Sequence, residues 1–191
     1  ILLRQDDADM RLTPRGFEIG LASRERYDLM LGKKRQRDAL IDFARNFSVK
    51  AARINPFLEG KGLSPLRQSV KLYDLILRPH LDIFMLAEAI GPLAEHIAGI
   101  EEQRREEIVE SAEILIKYQG YIDRERLIAE KISRLEHVKL RGKIVYADVK
   151  AISTEARQKL TKIDPETVAQ ASRIPGISPS DINILLLLLG R

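Results

Sequence analysis

The stretch KYQGYIDRERLIAEKISRLE, residues 117–136, has the spacing of a long packed helix. Its apolar positions recur at intervals of three and four residues, broken only by Glu125, and are Tyr118, Tyr121, Ile128, Ile132 and Leu135. This pattern is typical of a seam that packs against another helix. It predicts one long helix near residues 101–138, with both tyrosines in the core rather than exposed as stacking surfaces for a ligand.

Gly120 stands between the two tyrosines, inside this helical pattern. A glycine within a helix costs about 1 kcal/mol relative to alanine, because the unfolded chain has more freedom to lose and no side chain packs in return. Three features could offset that cost, namely a kink, a close approach by another helix, or a close approach by a ligand.

The composition of the 191 residues indicates an all-α protein. Hydrophobic residues make up 45% of the chain and aromatic residues only 5%, so the helices should pack on aliphatic side chains. The chain has no cysteine, which excludes disulfides, thiolate zinc sites and cysteine nucleophiles. It also shows no signal-peptide pattern and no apolar run long enough to span a bilayer, so a cytoplasmic location is expected.

Charge is distributed unevenly along the chain. Residues 24–53 hold nine Lys/Arg against four acidic residues, and residues 117–143 hold eight against four. Residues 101–116 between them hold six acidic residues against two arginines. Two basic segments favour an anionic partner, although solvated helix faces are an equally good explanation of charge alone.

Turn and capping residues divide the chain into three parts. We expect a turn-rich connector over residues 1–22, a helical bundle over residues 23–140, and a small C-terminal helical subdomain over residues 146–191. The segment 54–68 is predicted to be a loop because it contains two prolines and two glycines. Each predicted helix start combines a capping side chain with a residue that is favourable in the first turn of a helix. The predicted starts are Ser23, Ser64-Pro65, Ser153, Asp164-Pro165 and Ser178-Pro179.

No catalytic or metal-binding constellation is recognisable. His80, His96 and His137 lie far apart in sequence without partners at ligand spacing, and no nucleotide-binding glycine motif occurs. The turn IPGI, residues 174–177, lies between two predicted helices, as in helix-hairpin-helix modules that bind phosphate through backbone N–H groups. A structural corner between two helices would have the same pattern.

Five islands, in order, resemble the FAD-containing subunit of the tRNA uridine 5-carboxymethylaminomethyl modification enzyme, the MnmG/GidA family. They are LLRQDDADMRLTPRGFEIGL (2–21), LYDLILRP (72–79), IKYQGYI (116–122), STEARQKL (153–160) and PETVAQASRIPGISPSDI (165–182). The resemblance covers essentially the whole chain and matches the C-terminal region of that family. LRQDDADM departs from the usual family pattern, and the tail LLLLLGR is unusually apolar.

The resemblance implies a parent enzyme that uses FAD and a reduced nicotinamide cofactor, forms a homodimer, and works with the GTPase MnmE on the wobble uridine of tRNA. Its dinucleotide motifs and catalytic cysteine region lie upstream, so we expect neither a catalytic residue nor a cofactor site in this chain. The C-terminal region of such enzymes is associated with tRNA recognition and partner docking.

On this basis the chain is predicted to bind tRNA through Lys/Arg contacts to phosphate. The candidate residues are Lys33, Lys34, Arg35, Arg37, Lys117, Arg124, Lys131, Arg157 and Arg173. Gly120 is then favoured as a point of close approach by a helix or by RNA backbone rather than as a kink. The alternative is a module that docks only the GTPase and does not contact RNA.

Overall fold

A computed structural model describes residues 1–190, and 66% of the structure is helical, as the composition predicted. The helices are α1 (Ala8–Glu18), α2 (Arg24–Asn46), α3 (Ala51–Gly60), α4 (Leu72–Ile76), α5 (Ile83–Ala87), α6 (Gly91–Ala98), α7 (Arg105–Glu136), α8 (Thr154–Ile163), α9 (Val168–Ser172) and α10 (Pro179–Leu188). Short 3-10 turns occupy Glu102–Arg104 and Tyr146–Asp148. The long helix expected near residues 101–138 is confirmed as α7.

The chain forms two compact units, residues 1–122 and residues 123–191, which divide within α7. The sequence had suggested a boundary near residues 139–147. The end of α7 belongs to the second unit because Leu135, in the last turn of the helix, packs against the core of that unit.

The core of the first unit is aliphatic. Five helices each contribute a fully buried side chain, namely Leu58, Leu75, Ile83, Leu93 and Ile108. The helix α2 begins after Ser23, whose hydroxyl accepts a hydrogen bond from the Arg26 N–H at 3.2 Å, so the predicted cap is confirmed.

Residues 8–18 form the helix α1, so the prediction that the first twenty residues are turn-rich is wrong. Pro14 lies inside this helix, where its ring removes a hydrogen bond. Packing outweighs that local cost, because α1 lies against α2 and buries Thr13. An ion pair from Asp9 to Lys33 also holds α1 in place.

The segment after α3 is organised by one side chain. Asn55 accepts a hydrogen bond from the Leu66 N–H at 2.7 Å and donates one to the Leu66 carbonyl at 3.0 Å. Residues 70–71 (β2) then pair antiparallel with residues 48–49 (β1). The predicted helix start at Ser64-Pro65 is therefore wrong.

The loop predicted for residues 54–68 is also wrong over residues 54–60. These residues belong to the helix α3, and Ile54 and Leu58 bury one face of it.

The second unit is organised around the buried carboxylate of Asp181. One carboxylate oxygen accepts from the Ser153 N–H at 2.8 Å, and the other accepts from the Ser178 N–H at 2.9 Å and the Ser178 hydroxyl at 2.6 Å. Ser153 and Ser178 cap α8 and α10, as predicted, so Asp181 joins two helix starts.

Asp164-Pro165 does not begin a helix, contrary to the prediction. Asp164 ends α8 in a left-handed conformation, and α9 begins after Thr167. The intervening residues pair with the segment that follows α7, since Leu140 N–H donates to Glu166 O at 2.8 Å and Val168 N–H donates to Val138 O at 2.9 Å. These backbone hydrogen bonds join residues that are distant in sequence, and they hold residues 166–168 in an extended conformation.

The apolar run at residues 184–189 is only partly buried. Leu185 is inaccessible, whereas Leu187 and Leu188 are largely exposed on α10. Among the described residues, no helix combines the length and the apolar character needed to cross a membrane.

Candidate nucleic-acid interface

Lys33 is a structural residue. Only 3% of its side chain is exposed, and its ammonium group binds the carboxylates of Asp9, at 2.9 Å, and of Glu107. Burial lowers the pKa of Lys33, but the hydrogen bonds to Glu107 and Asp9 outweigh burial and leave that pKa raised. A phosphate could bind Lys33 only by displacing these carboxylates, so the structure removes it from the surface array that we expected.

Arg37 and Lys117 are also engaged within the first unit. Arg37 is buried and donates to the Asp38 carboxylate at 2.6 and 2.9 Å. The Lys117 ammonium donates to the Leu81 carbonyl and to the Glu113 carboxylate, both at 2.7 Å. Lys117 is therefore not a free cation, although the sequence groups it with Arg124 and Lys131, which follow it at intervals of seven residues.

Two of the three arginines predicted in the second unit, Arg157 and Arg173, have internal contacts as well. Arg157 is half-buried, and one of its guanidinium nitrogens donates to the Ile152 carbonyl at 3.4 Å. Arg173 is exposed and binds Glu136 at 2.6 Å, and this hydrogen bond lowers the pKa of the Glu136 carboxyl. An approaching phosphate would compete with Glu136 for Arg173.

Four of the predicted cations are exposed and have no ion pair among the residues the structure describes. They are Lys34 and Arg35 in the first unit and Arg124 and Lys131 in the second. Their side chains can reach a polyanion without breaking an internal contact, which makes them the strongest remaining candidates for phosphate contacts.

Lys50 and Arg53 were missed by the sequence reasoning. Both side chains are exposed and line a surface pocket of about 300 Å³ that also includes Phe47 and Pro92. No acidic side chain lines this pocket. A signal was available, because no acidic residue occurs between Asp42 and Glu59.

The turn at residues 174–177 is occupied by side chains of α8. Gly176 has φ of +90°, and an added methyl group there would overlap the Glu155 carboxylate. Lys159 binds that carboxylate and donates to the Pro175 carbonyl. Asp181 meanwhile caps the start of α10. The side chains of Glu155 and Lys159 therefore fill the space beside Gly176 that a phosphate would need, so the geometry favours the structural corner.

The two tyrosines of α7 are on the surface, so the prediction that they are core residues is wrong. Tyr118 is 46% exposed and Tyr121 is 61% exposed, and Ile128 and Ile132 of the same seam are exposed as well. Apart from its own helix backbone and its chain neighbours Gln119 and Tyr121, no atom lies within 4 Å of the position that a Cβ of Gly120 would occupy. Within residues 1–190, therefore, no element approaches Gly120 closely.

This open surface predicts the effect of replacing Gly120 by alanine. The added methyl group meets no neighbour, and alanine favours the helix by about 1 kcal/mol. Gly120→Ala should therefore raise the free energy of unfolding of the 191-residue chain by about 0.5–1 kcal/mol, as measured in urea.

Gly142→Ala is the matched control for that measurement. Gly142 also has open space around it, but its φ of +73° strains any side chain. We expect this control to lose stability, whereas a loss at Gly120 would contradict the open site that the structure shows.

Two family models match the chain, one after the other. The "tRNA modifying enzyme MnmG/GidA C-terminal helical domain" matches residues 24–126, and the corresponding "C-terminal helical bundle" matches residues 128–191. The division between them lies close to the division between the two compact units.

Individual proteins are also similar to this chain in sequence and in structure. The tRNA uridine 5-carboxymethylaminomethyl modification enzymes MnmG of Parabacteroides distasonis and Cytophaga hutchinsonii are 57% and 44% identical over the whole chain, which covers 31% and 30% of their lengths. The crystal structure of Aquifex aeolicus GidA, form II, aligns with 98% of the chain at a TM-score of 0.62 and 32% identity, covering 28% of that protein.

The fold, the order of the two helical units and these matches define the C-terminal helical region of a tRNA-modifying enzyme. The chain spans slightly less than a third of the length of the relatives above. It belongs to the MnmG/GidA family.

Proposed function

We propose that this chain is the tRNA-binding and partner-docking region of an enzyme that modifies the wobble uridine of tRNA in the manner of the MnmG/GidA family. The observation that carries the proposal is that both units carry exposed cations without an ion pair among the described residues, and these include Lys34, Arg35, Lys50 and Arg53 in the first unit and Arg124 and Lys131 in the second. Such side chains bind phosphate and release counterions from the RNA.

The two neighbouring cations of α2 support the proposal most directly. Lys34 and Arg35 follow Lys33 in sequence but lie outside its carboxylate cluster and face solvent. A buried cation with two carboxylate partners contributes to folding, whereas an exposed cation without a partner retains its full charge for a ligand. We assign the first role to Lys33 and the second to Lys34 and Arg35.

The flavin and nicotinamide cofactors of the proposed parent enzyme do not fit this chain. Dinucleotide sites of the usual type need a parallel strand, a glycine-rich turn and a helix. The strands among the described residues are the antiparallel pair β1 and β2, each of two residues. We therefore propose that FAD, the nicotinamide cofactor and the catalytic residues belong to other parts of a homodimeric parent enzyme.

The proposal predicts a loss of tRNA affinity when Lys34 and Arg35 are both replaced by glutamate. Reversing two phosphate-contacting charges should weaken binding of an unmodified substrate tRNA by about tenfold or more at 0.1 M salt. The slope of log affinity against log salt should fall by about one for each phosphate that the variant no longer neutralises. Filter binding or fluorescence anisotropy at several salt concentrations measures both quantities.

The control reverses two cations that acidic neighbours already neutralise. Arg24 pairs with Asp28 at 3.0 Å, and Lys61 pairs with Glu88 at 3.4 Å. The double variant Arg24→Glu, Lys61→Glu changes the net charge equally and should affect binding much less. Equal losses in both double variants would mean that only the total charge matters, and the assignment of contacts would then fail.

Partner docking rests on a different surface, in the second unit. Val145 and Leu188 are exposed and line an open pocket of about 610 Å³, which Lys143 and Lys150 flank. Exposed apolar side chains rimmed by charges are typical of protein contacts. If the chain docks only the MnmE-like GTPase and does not contact RNA, Leu188→Asp should abolish GTPase binding, and the 191-residue chain should show no salt-dependent tRNA binding that Lys34→Glu, Arg35→Glu could weaken.

A further inference from the structure

We infer that Tyr118 and Tyr121 form an exposed aromatic platform that stacks unpaired nucleobases of the substrate RNA. The inference deepens the proposed function and rests on it, because it names the part of the RNA that this surface of α7 contacts. Sequence-specific proteins commonly hold unpaired RNA bases by stacking them on aromatic rings.

The two rings are available to a ligand. Their centroids lie 6.2 Å apart and their planes are tilted by 49°, so the rings do not stack on each other. Each side chain is roughly half exposed. An exposed tyrosine ring offers a flat π-face to any of the four bases at little cost in side-chain entropy.

Gly120 leaves the helix surface beside Tyr121 uncovered, about 100° around the helix from that residue. Apart from the helix backbone and the chain neighbours Gln119 and Tyr121, no atom lies within 4 Å of its missing Cβ. A base stacked on Tyr121 can therefore extend along this flank of the helix, where any larger residue would project a side chain. This approach provides a use for a glycine that otherwise weakens the helix.

A nucleobase fits this surface better than a partner helix does. The seam that contains the tyrosines continues through Glu125 to Ile128, and Glu125 is exposed. A helix laid along the seam would cover Glu125 and remove its carboxylate from water, which is costly without a buried cationic partner. A base stacked on the tyrosines leaves Glu125 in solvent.

The chemistry of the proposed reaction requires unpaired bases. An enzyme that modifies the 5-position of a uridine must separate that base from its neighbours before it can enclose it. The neighbouring bases then lose stacking partners within the RNA, and tyrosine rings can replace those partners. The platform is thus expected to recognise single-stranded loop nucleotides and to ignore duplex.

The test compares Tyr118→Ala, Tyr121→Ala with Tyr118→Phe, Tyr121→Phe in the 191-residue chain. The probes are a tRNA anticodon stem-loop and a continuous duplex with the same stem. The alanine variant should bind the stem-loop about tenfold or more weakly. It should keep the wild-type salt slope and its duplex affinity. The phenylalanine variant, which retains the ring faces, should stay within about twofold of the wild type.

The chain has no tryptophan, so tyrosine emission gives an independent readout. The stem-loop should quench this emission in the wild type and much less in the alanine variant. Phe84→Ala is the control, because Phe84 is 43% exposed and lies on another helix beside Glu106 and Glu110. It should bind both RNAs as the wild type does.

Each alternative outcome overturns the inference in a distinct way. Unchanged stem-loop affinity in the alanine variant excludes stacking, and equal losses in the phenylalanine and alanine variants would assign the effect to the hydroxyl groups. Loss of binding to an MnmE-like GTPase with RNA affinity intact would make the platform a protein contact. If the Lys34→Glu, Arg35→Glu variant still weakens tRNA binding in these cases, the proposed function stands and only the platform fails.

Discussion

Lys33→Ala is expected to destabilise the first unit by about 2–3 kcal/mol, because one ammonium group connects three helices. Its partners Asp9 and Glu107 lie in α1 and α7, and the side chain of Lys33 itself is almost fully buried in α2. Removing one partner of a fully buried ion pair costs about 3–5 kcal/mol. We expect less here because Asp9 and Glu107 remain 32% and 55% exposed.

Urea unfolding, followed by amide NMR signals of residues 1–122, measures this loss. Lys34→Ala is the matched control, since it removes the adjacent and exposed cation and should change stability by less than about 0.5 kcal/mol. Lys33→Met retains most of the buried stem and separates packing from charge. Equal stability of the Lys33 and Lys34 alanine variants would show that the ion pairs do not hold α1.

The raised pKa of Lys33 fixes the pH range of its contribution. A lysine whose pKa is higher in the folded state stabilises the fold below its ordinary value of 10.5. That stabilisation is lost as the pH rises through the folded-state pKa. The difference between the wild type and Lys33→Ala should therefore persist at neutral pH and shrink in strongly alkaline solution.

Asp181→Ala is expected to destabilise the second unit by about 3 kcal/mol. The carboxylate accepts hydrogen bonds from two backbone N–H groups and from the Ser178 hydroxyl, so its removal leaves several donors at the starts of α8 and α10 without a partner. A buried donor left unsatisfied costs about 1–3 kcal/mol. Asp148→Ala is the control, because Asp148 is exposed and caps neither helix.

Acid should remove the part of this contribution that depends on the charge of Asp181. Burial raises the pKa of Asp181, but the hydrogen bonds from Ser178 and Ser153 outweigh burial and leave that pKa lowered. The charge-dependent stabilisation is therefore fully present above the ordinary value of 3.8 and is lost as the pH falls through the lower folded-state pKa. The difference in urea stability between the wild type and Asp181→Ala should narrow in strong acid, and a constant difference would contradict this linkage.

Local chemistry made the helix starts predictable. Ser23, Ser153 and Ser178 each cap a helix through a hydrogen bond to an N–H three residues ahead, which a sequence pattern can reveal. The long helix was predictable for the same reason, because its apolar spacing is sustained over many turns. Ser64-Pro65 and Asp164-Pro165 have similar patterns, but non-local hydrogen bonds hold the residues that follow them in extended segments.

Which cations face solvent was not predictable from the sequence. Lys33 and Lys34 are adjacent and chemically identical, and they differ because Asp9 and Glu107 are brought to Lys33 from 24 and 74 residues away. The exposed tyrosines have the same origin, since a helical seam shows which residues share a face but not whether another element covers it. Burial and pairing of this kind depend on tertiary packing.

The two hydrogen bonds between the Asn55 side chain and the Leu66 backbone have a consequence for evolution. Both backbone groups of Leu66 are bound by this one amide side chain, so the chain is anchored just before it enters β2. The stretch from Lys61 to Pro65 is exposed apart from Leu63, and lengthening such a loop carries only a small entropic cost. Related chains could therefore gain or lose residues between Lys61 and Pro65 and keep the pairing of Val49 with Val70.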